Sequence, residues 1–238
     1  MRIGILICDQ IRPEFEGQFD DYPIMLEQMM LKIDSTLEFT FYQAFKGHLP
    51  ENVDECDVYL TTGSKHSVND ALPWIEELLQ FVALLDSHKK KLVGICFGHQ
   101  LIAKALGGSV STSEKGWGIG VAFNQVTQAQ TWMVDESNQA PSGLDIVVSH
   151  KEQVDQLPAH TKVVASSTFC PSFMIQVETH MLGIQGHPEF STDYSMALTN
   201  TRLDLIPANR VREGFNSLNA HVDDLKLATW ILNFFKGL

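Results

Sequence analysis

Two short segments of the sequence carry residue types that together could break an amide bond. The first is G-I-C-F-G-H-Q, residues 94–100, which places Cys96 between two glycines directly after an apolar run. The second is Q-G-H-P-E-F, residues 185–190, which places His187 and Glu189 on either side of a proline. A thiol attacks only as the thiolate and needs a nearby base, which a histidine held by a carboxylate supplies. The two segments therefore predict a Cys-His-Glu triad.

The glycines around Cys96 are typical of a nucleophile at a sharp turn between a buried strand and a helix. At such a turn the helix dipole favours the thiolate, and the amide of Phe97 is placed to stabilise an oxyanion. The simpler interpretation of a cysteine is a buried core residue, and we adopt it for the other three cysteines, which lack glycine neighbours. Taken alone, His187 would likewise be interpreted as an ordinary surface histidine.

The elements that must position these residues follow an α/β pattern. Apolar runs alternate with helical periodicity through the first half of the chain, which predicts a doubly wound, mostly parallel sheet flanked by helices. From residue 109 the pattern changes to short β-prone pieces, and after His187 it becomes helical. We predict one domain over residues 1–238, with a catalytic core to about residue 190 and C-terminal helices over 191–238. The predicted strands are 3–8, 37–42, 58–62, 92–95, 119–123, 132–134, 144–149, 162–166, 173–177 and 181–185.

The composition narrows the classes of partner. The 238 residues include 17 Lys and Arg against 29 Asp and Glu, a formal charge of −12, and no basic tract, which argues against nucleic acid or an anionic membrane surface as partner. The N-terminal apolar run is too short for a signal peptide, and no segment approaches the ~20 apolar residues that span a bilayer. The scattered cysteines form no C-x-x-C pair, so we expect a cytoplasmic protein with reduced thiols and no zinc site; they are Cys8, Cys56, Cys96 and Cys170.

The two segments together, about ninety residues apart and in this order, resemble the class I, or triad, glutamine amidotransferases. The resemblance extends roughly over residues 3–190 and is greatest to stand-alone proteins similar to the amidotransferase domain of GMP synthase. It implies a flavodoxin-like α/β fold. It also implies that Cys96 is the nucleophile, that His187 is the general acid and base, and that Glu189 orients the histidine.

The resemblance assigns an oxyanion loop as well. The family's loop, usually S-G-G-P or N-G-P-G, corresponds to T-T-G-S-K at residues 61–65, so the amide of Gly63 would join that of Phe97 in holding the oxyanion. Ser64 stands where the family usually has proline. Backbone donors do not depend on that side chain, so the oxyanion role is kept, but the loop lacks the rigidity that proline would give it.

Further residues are implied to bind the substrate. Gln100 corresponds to a substrate-contacting glutamine, and Ser149 and His150 in V-S-H correspond to a strand end that lines the pocket. We interpret His99 as structural, since the site needs one base. The segment K-G-W-G at 115–118 falls where the family carries a loop near the glutamine site, and an ordinary turn with a packed tryptophan explains it equally well.

The implied reaction releases ammonia from the γ-carboxamide of glutamine through a γ-glutamyl thioester, with no metal or organic cofactor. The chain has no G-x-x-x-x-G-K-[ST] loop, so an ammonia acceptor would be a separate synthetase subunit, or there is none. A γ-glutamyl peptidase acting on glutathione-like peptides could use the same triad, and a non-catalytic regulatory module is a third alternative. A related family with cysteine at the same turn typically has histidine directly after it, and Phe97 argues against that family.

Overall fold

The computed structural model describes residues 1–134 and 141–238. In chain order the strands are β1 (Arg2–Leu6), β2 (Glu38–Tyr42), β3 (Val58–Thr61), β4 (Leu92–Ile95), β5 (Ser109–Thr112), β6 (Gly118–Val126), β7 (Gly143–His150), β8 (Glu152–Gln156), β9 (Thr161–Ser166), β10 (Met174–Val177) and β11 (Met181–Ile184). The helices are α1 (Tyr22–Leu31), α2 (Pro73–Ser87), α3 (Phe97–Ala105), α4 (Thr192–Asn200), α5 (Ala208–Ser217) and α6 (Asp224–Lys236).

Nine of these strands form one sheet in the order β2-β1-β3-β4-β11-β10-β9-β6-β7. Neighbouring strands are parallel from β2 to β11 and antiparallel from β11 to β7. The predicted α/β fold with a β-rich second half is thus confirmed. The crossover helices cover both faces of the parallel part, as right-handed β-α-β connections require.

Residues of the parallel strands point alternately to two cores. On one face Val93 of β4 packs in the same cluster as residues of α1 and α6, and on the other face Leu92 packs with α2 and α3. Strands buried on both faces read as continuous apolar runs, which is why the sequence pattern located them. Within the described residues, no helix has both the length and the apolar character needed to cross a membrane.

Two features of the second half differ from the sequence prediction. The expected strand at 132–134 is wrong, because these residues form a turn and an irregular segment. The apolar residue Trp132 packs in the core without forming a strand. The centre of its ring lies 6.4 Å from that of Trp230, and its Nε1 donates to Gln176 Oε1 at 3.0 Å. The separate two-stranded sheet β5–β8 was not predicted. Its strands are largely polar, so they show little apolar alternation.

Candidate active site

Cys96 lies at the turn between β4 and α3, in a backbone conformation that side chains rarely adopt. Its φ is 48° and its ψ is −92°, and the turn brings the strand and the helix into close contact. A side chain at Gly94 would overlap the backbone of Gly98, and one at Gly98 would overlap the hydroxyl of Thr61. Glycine is therefore required on both sides of Cys96 for steric reasons, as the sequence pattern indicated.

His187 and Glu189 follow β11, the strand next to β4, so the two segments meet at one edge of the sheet. His187 Nδ1 lies 2.8 Å from Glu189 Oε1, and both side chains are buried. The imidazole also stacks on the ring of Phe190, with centroids 4.0 Å apart and planes 5° apart. These contacts fix the orientation of the ring. Because a carboxylate only accepts, Nδ1 carries a proton and Nε2 remains available for proton transfer.

The charges around His187 favour its protonated form. Burial alone would lower the pKa of the imidazole, but the charges of Glu189 and Cys96 outweigh it and hold the pKa well above its usual range. By contrast, burial raises the pKa of the Cys170 thiol to about 12 and raises that of Cys8 still further. Of the four cysteines, Cys96 is the one that interacts with His187, and a histidine beside the sulfur is typical of reactive cysteines.

The loop at 61–65 contacts the candidate triad directly. A side chain at Gly63 would place its Cβ 2.6 Å from His187 Cε1, so the loop backbone lies against the imidazole. Among the described residues, neither the Gly63 amide nor the Phe97 amide donates to another group of the chain. Amides without a partner in the chain are available to stabilise an oxyanion, the role that the sequence predicts for these two.

Side-chain hydrogen bonds hold this loop where the family usually has proline. The Asp9 carboxylate, in the segment that follows β1, accepts from the Lys65 amide at 2.9 Å and from Lys65 Nζ at 2.8 Å. The Thr62 hydroxyl accepts from the Cys8 amide at 2.8 Å and donates to the Gly63 carbonyl at 3.0 Å. These contacts with the segment that follows β1 restrain the loop in the absence of the proline.

An open cleft of about 1240 Å³ lies beside the candidate triad. Its wall includes residues 8–14 and 16–22. The part of the wall nearest the candidate triad, the inner wall, is formed by Gly63, Lys65, Ser149, His187, Glu189 and Arg202. Cys96 does not line the cleft and has 6% of its surface exposed. Within residues 1–134 and 141–238, no three His, Cys, Asp or Glu side chains converge as a set able to hold a metal ion.

Of the three predicted substrate-binding residues, the structure brings Ser149 to the cleft wall and leaves the other two inside the protein. Gln100 Nε2 donates to the Glu152 carbonyl at 2.9 Å and to Gln185 Oε1 at 3.1 Å, so both of its donor hydrogens are used. His150 Nδ1 lies 3.1 Å from the Glu152 carbonyl. A direct substrate contact by Gln100 or His150 is therefore not supported.

Sequence reasoning missed Arg202, which lies just after α4. Arg202 Nη1 donates to Ser149 Oγ at 2.7 Å, and its guanidinium carbon lies 5.1 Å from the centre of the Trp117 ring. Burial lowers the pKa of this guanidinium, and no carboxylate of the described residues pairs with it. Trp117 of the K-G-W-G segment thus packs against Arg202, a residue of the cleft wall. No local motif marks Arg202 in the sequence.

The family assignment rests on the sequence, and the fold agrees with it. The family model for glutamine amidotransferase class-I matches residues 32–201. The chain belongs to this family. Its fold is similar to the crystal structure of a glutamine amidotransferase from Thermotoga maritima, with a TM-score of 0.73 and 19% sequence identity. The superposed region covers 99% of this chain and 96% of the Thermotoga chain.

Curated relatives of this amidotransferase-family chain include proteins named as gamma-glutamyl peptidases, as glutamine amidotransferase-like proteins and as a GMP synthase subunit. Gamma-glutamyl peptidase 4 of Arabidopsis thaliana is 32% identical over 165 residues, which are 67% of this chain and 65% of that protein. The match thus spans slightly less than two thirds of that relative. The glutamine-hydrolyzing GMP synthase subunit of Pyrococcus abyssi is 37% identical over 106 residues, 44% of this chain and 53% of that protein.

Two buried histidines near the site predict that the protein loses stability in mild acid. Burial lowers the pKa of His99 to about 3 and that of His150 to about 4. The unfolded chain takes up these protons below its ordinary pKa near 6.5, whereas the folded protein does not. Each histidine should therefore lower the free energy of unfolding by about 2 kcal/mol between pH 7 and pH 5.

Urea denaturation at these two pH values measures the effect. His150→Gln should remove about 2 kcal/mol of the difference. His48 is on the surface, so His48→Gln serves as the matched control and should leave the difference unchanged. An equal pH dependence of the wild type and His150→Gln would contradict the assignment of a buried neutral His150.

Proposed function

We propose that this protein hydrolyses γ-glutamyl amides, with Cys96 as nucleophile, His187 as general acid and base, and Glu189 as the group that orients it. The observation that carries the proposal is the buried His187–Glu189 contact of 2.8 Å next to a cysteine whose charge raises the pKa of that histidine. The proposed place of action is the cytoplasm, where a thiol nucleophile stays reduced.

The mechanism that we infer proceeds in two steps through a thioester. The Cys96 thiolate attacks the γ-carbonyl carbon, and the amides of Gly63 and Phe97 hold the oxyanion. The C–N bond then breaks as His187 Nε2 gives its proton to the leaving amine. In the second step His187 takes a proton from water, which attacks the thioester, and the C–S bond breaks to return the thiolate and release glutamate.

We favour a γ-glutamyl peptide over free glutamine as the substrate. A cleft of about 1240 Å³ is larger than a single glutamine needs, and its wall extends well beyond the candidate triad along residues 8–14 and 16–22. The Arabidopsis relative named as a gamma-glutamyl peptidase supports the same choice. The leaving group would then be the amine of an amino acid or peptide lying against that part of the wall.

Release of ammonia from glutamine for a separate synthetase is the second candidate. The Pyrococcus relative, named as part of a glutamine-hydrolyzing GMP synthase, favours it, and the triad chemistry is identical. Parallel assays with glutathione and glutamine separate the two, by following the released dipeptide and ammonia. We expect the higher kcat/KM with glutathione. Preference for glutamine would favour the second candidate. If the protein hydrolysed neither compound, and no other γ-glutamyl peptide either, the proposal would be contradicted.

Arg202 is proposed to bind the α-carboxylate of the γ-glutamyl group, because it is a partly buried cation on the inner wall that lacks a carboxylate partner among the described residues. A hydrogen bond to a charged group is worth about 1.5–3 kcal/mol, so Arg202→Met should raise KM about 10- to 100-fold. Steady-state kinetics would measure this, with surface Arg212→Met as the matched control. A KM equal to that of the wild type would remove Arg202 from substrate binding.

A further inference from the structure

A short series of hydrogen bonds leads from the backbone of β8 to the Cys96 sulfur. Gln100 Nε2 donates to the Glu152 carbonyl at 2.9 Å and to Gln185 Oε1 at 3.1 Å. Gln185 Nε2 in turn lies 3.5 Å from Cys96 Sγ, within hydrogen-bonding distance of a sulfur acceptor. Gln185 is fully buried and Gln100 is 4% exposed, so water does not compete for these contacts.

The direction of this series is fixed by its first member. A backbone carbonyl can only accept, so the NH₂ group of Gln100 must face the Glu152 carbonyl. The second hydrogen of the same NH₂ group then points towards Gln185. Gln185 must therefore present its oxygen to Gln100 and its NH₂ group to the sulfur. The opposite orientation of Gln185 would place an amide nitrogen against an amide nitrogen and an oxygen against the thiolate.

We propose that Gln185 is a further catalytic residue whose side-chain N–H donates to the Cys96 thiolate, and that Gln100 is the positioning residue that fixes this donor. The proposal rests on the proposed function only in taking Cys96 as the reacting thiol. A buried donor that the fold holds in one orientation stabilises the charged sulfur more than a mobile one, because no reorganisation is needed. The role of Gln100 thereby changes from substrate contact to support of the nucleophile.

This donor acts at two points of the reaction. It stabilises the thiolate before attack on the γ-carbonyl carbon. When water attacks the thioester, the electron pair of the C–S bond returns to sulfur, and the Gln185 N–H again faces a developing negative charge. In the thioester the sulfur is neutral, and the same N–H has a weaker acceptor. The contact therefore favours the states in which sulfur bears charge.

The test is the pH dependence of Cys96 alkylation by iodoacetamide, followed by mass spectrometry of the peptide that contains Cys96. Removing a hydrogen bond to a charged group should raise the midpoint pH in Gln185→Met by roughly one pH unit, about a tenfold loss of thiolate at a fixed lower pH. Gln100→Met should raise the midpoint by a smaller amount. Gln176 is a buried glutamine of β10 bonded to Trp132 and the Glu178 carbonyl, so Gln176→Met is the matched control and should not shift it.

The outcomes separate this inference from the proposed function, because alkylation needs no substrate. Midpoints in folded Gln185→Met and Gln100→Met equal to that of the wild type would overturn the inference, even if γ-glutamyl amides are hydrolysed. A shift in a protein that hydrolyses none of them would support the inference and contradict the proposed function. Gln100→Met leaves Gln185 in place and decides the test if Gln185→Met does not fold.

Discussion

Cys96→Ala should show no measurable hydrolysis of any γ-glutamyl substrate while retaining the wild-type fold. The thiol is the atom that bonds to the γ-carbonyl carbon in our mechanism, and removing a nucleophile lowers kcat by about 10⁴-fold or more. Steady-state assays and circular dichroism on the same preparation would measure both parts of the expectation. Substantial turnover by a folded Cys96→Ala variant would show that another residue is the nucleophile.

A second substitution at the same position provides the control for folding. Cys96 has φ 48° and ψ −92°, a conformation that costs a non-glycine residue about 1–3 kcal/mol. Cys96→Gly relieves this cost and Cys96→Ala does not. Both variants should be inactive, and the glycine variant should have the higher free energy of unfolding. Equal stability of the two would contradict the strained turn, and activity in either would contradict the role of the thiol.

Gly63→Ala should lower kcat about 100-fold with little change in the fold. The added Cβ would lie 2.6 Å from His187 Cε1. The imidazole cannot easily move away, because it is hydrogen-bonded to Glu189 and stacked on the ring of Phe190. The loop amide or the imidazole must therefore move, and displacement of a reacting group by about 1 Å costs on the order of 10²-fold in rate. Comparison of kcat and KM with the wild type would measure this effect.

Gly143→Ala is the matched control for this prediction. A Cβ at Gly143 would have its nearest neighbour, the carbonyl of Asn124, at 3.6 Å, an ordinary contact. The control should keep wild-type kcat. If Gly63→Ala also kept it, the loop at 61–65 would not bear on the reaction, and the proposed oxyanion role of the Gly63 amide would fall with it.

The location of the candidate triad could be predicted because short sequence patterns determine each half of it. The glycines around Cys96 are required by contacts with the backbone of Gly98 and with Thr61, and such requirements appear directly in the sequence. That β4 and β11 are neighbours could not be derived from periodicity, since about ninety residues separate the two segments. The structure shows the contact directly, with the Cys96 amide donating to the Ile184 carbonyl at 2.7 Å.

The residues that line the cleft were harder to predict than the candidate triad, because the direction of each side chain depends on tertiary packing. Gln100 lies one turn after Cys96 in α3, and side chains of a helix lean towards its N-terminus. Gln100 therefore contacts Gln185 under the thiol instead of reaching the cleft. Arg202 is the opposite case, a residue that was not predicted and that lines the cleft. It lies in an irregular segment with no motif and reaches the inner wall by packing on Trp117.

The most direct test of the central claim is the division of products in the presence of hydroxylamine. A γ-glutamyl thioester on Cys96 reacts with either water or hydroxylamine, to give glutamate or γ-glutamyl hydroxamate. Glutathione and glutamine form the same thioester, so at one hydroxylamine concentration both should give the same fraction of hydroxamate, whatever their rates. Absence of hydroxamate during turnover, or a fraction that changes with the leaving amine, would contradict hydrolysis through a common γ-glutamyl thioester on Cys96.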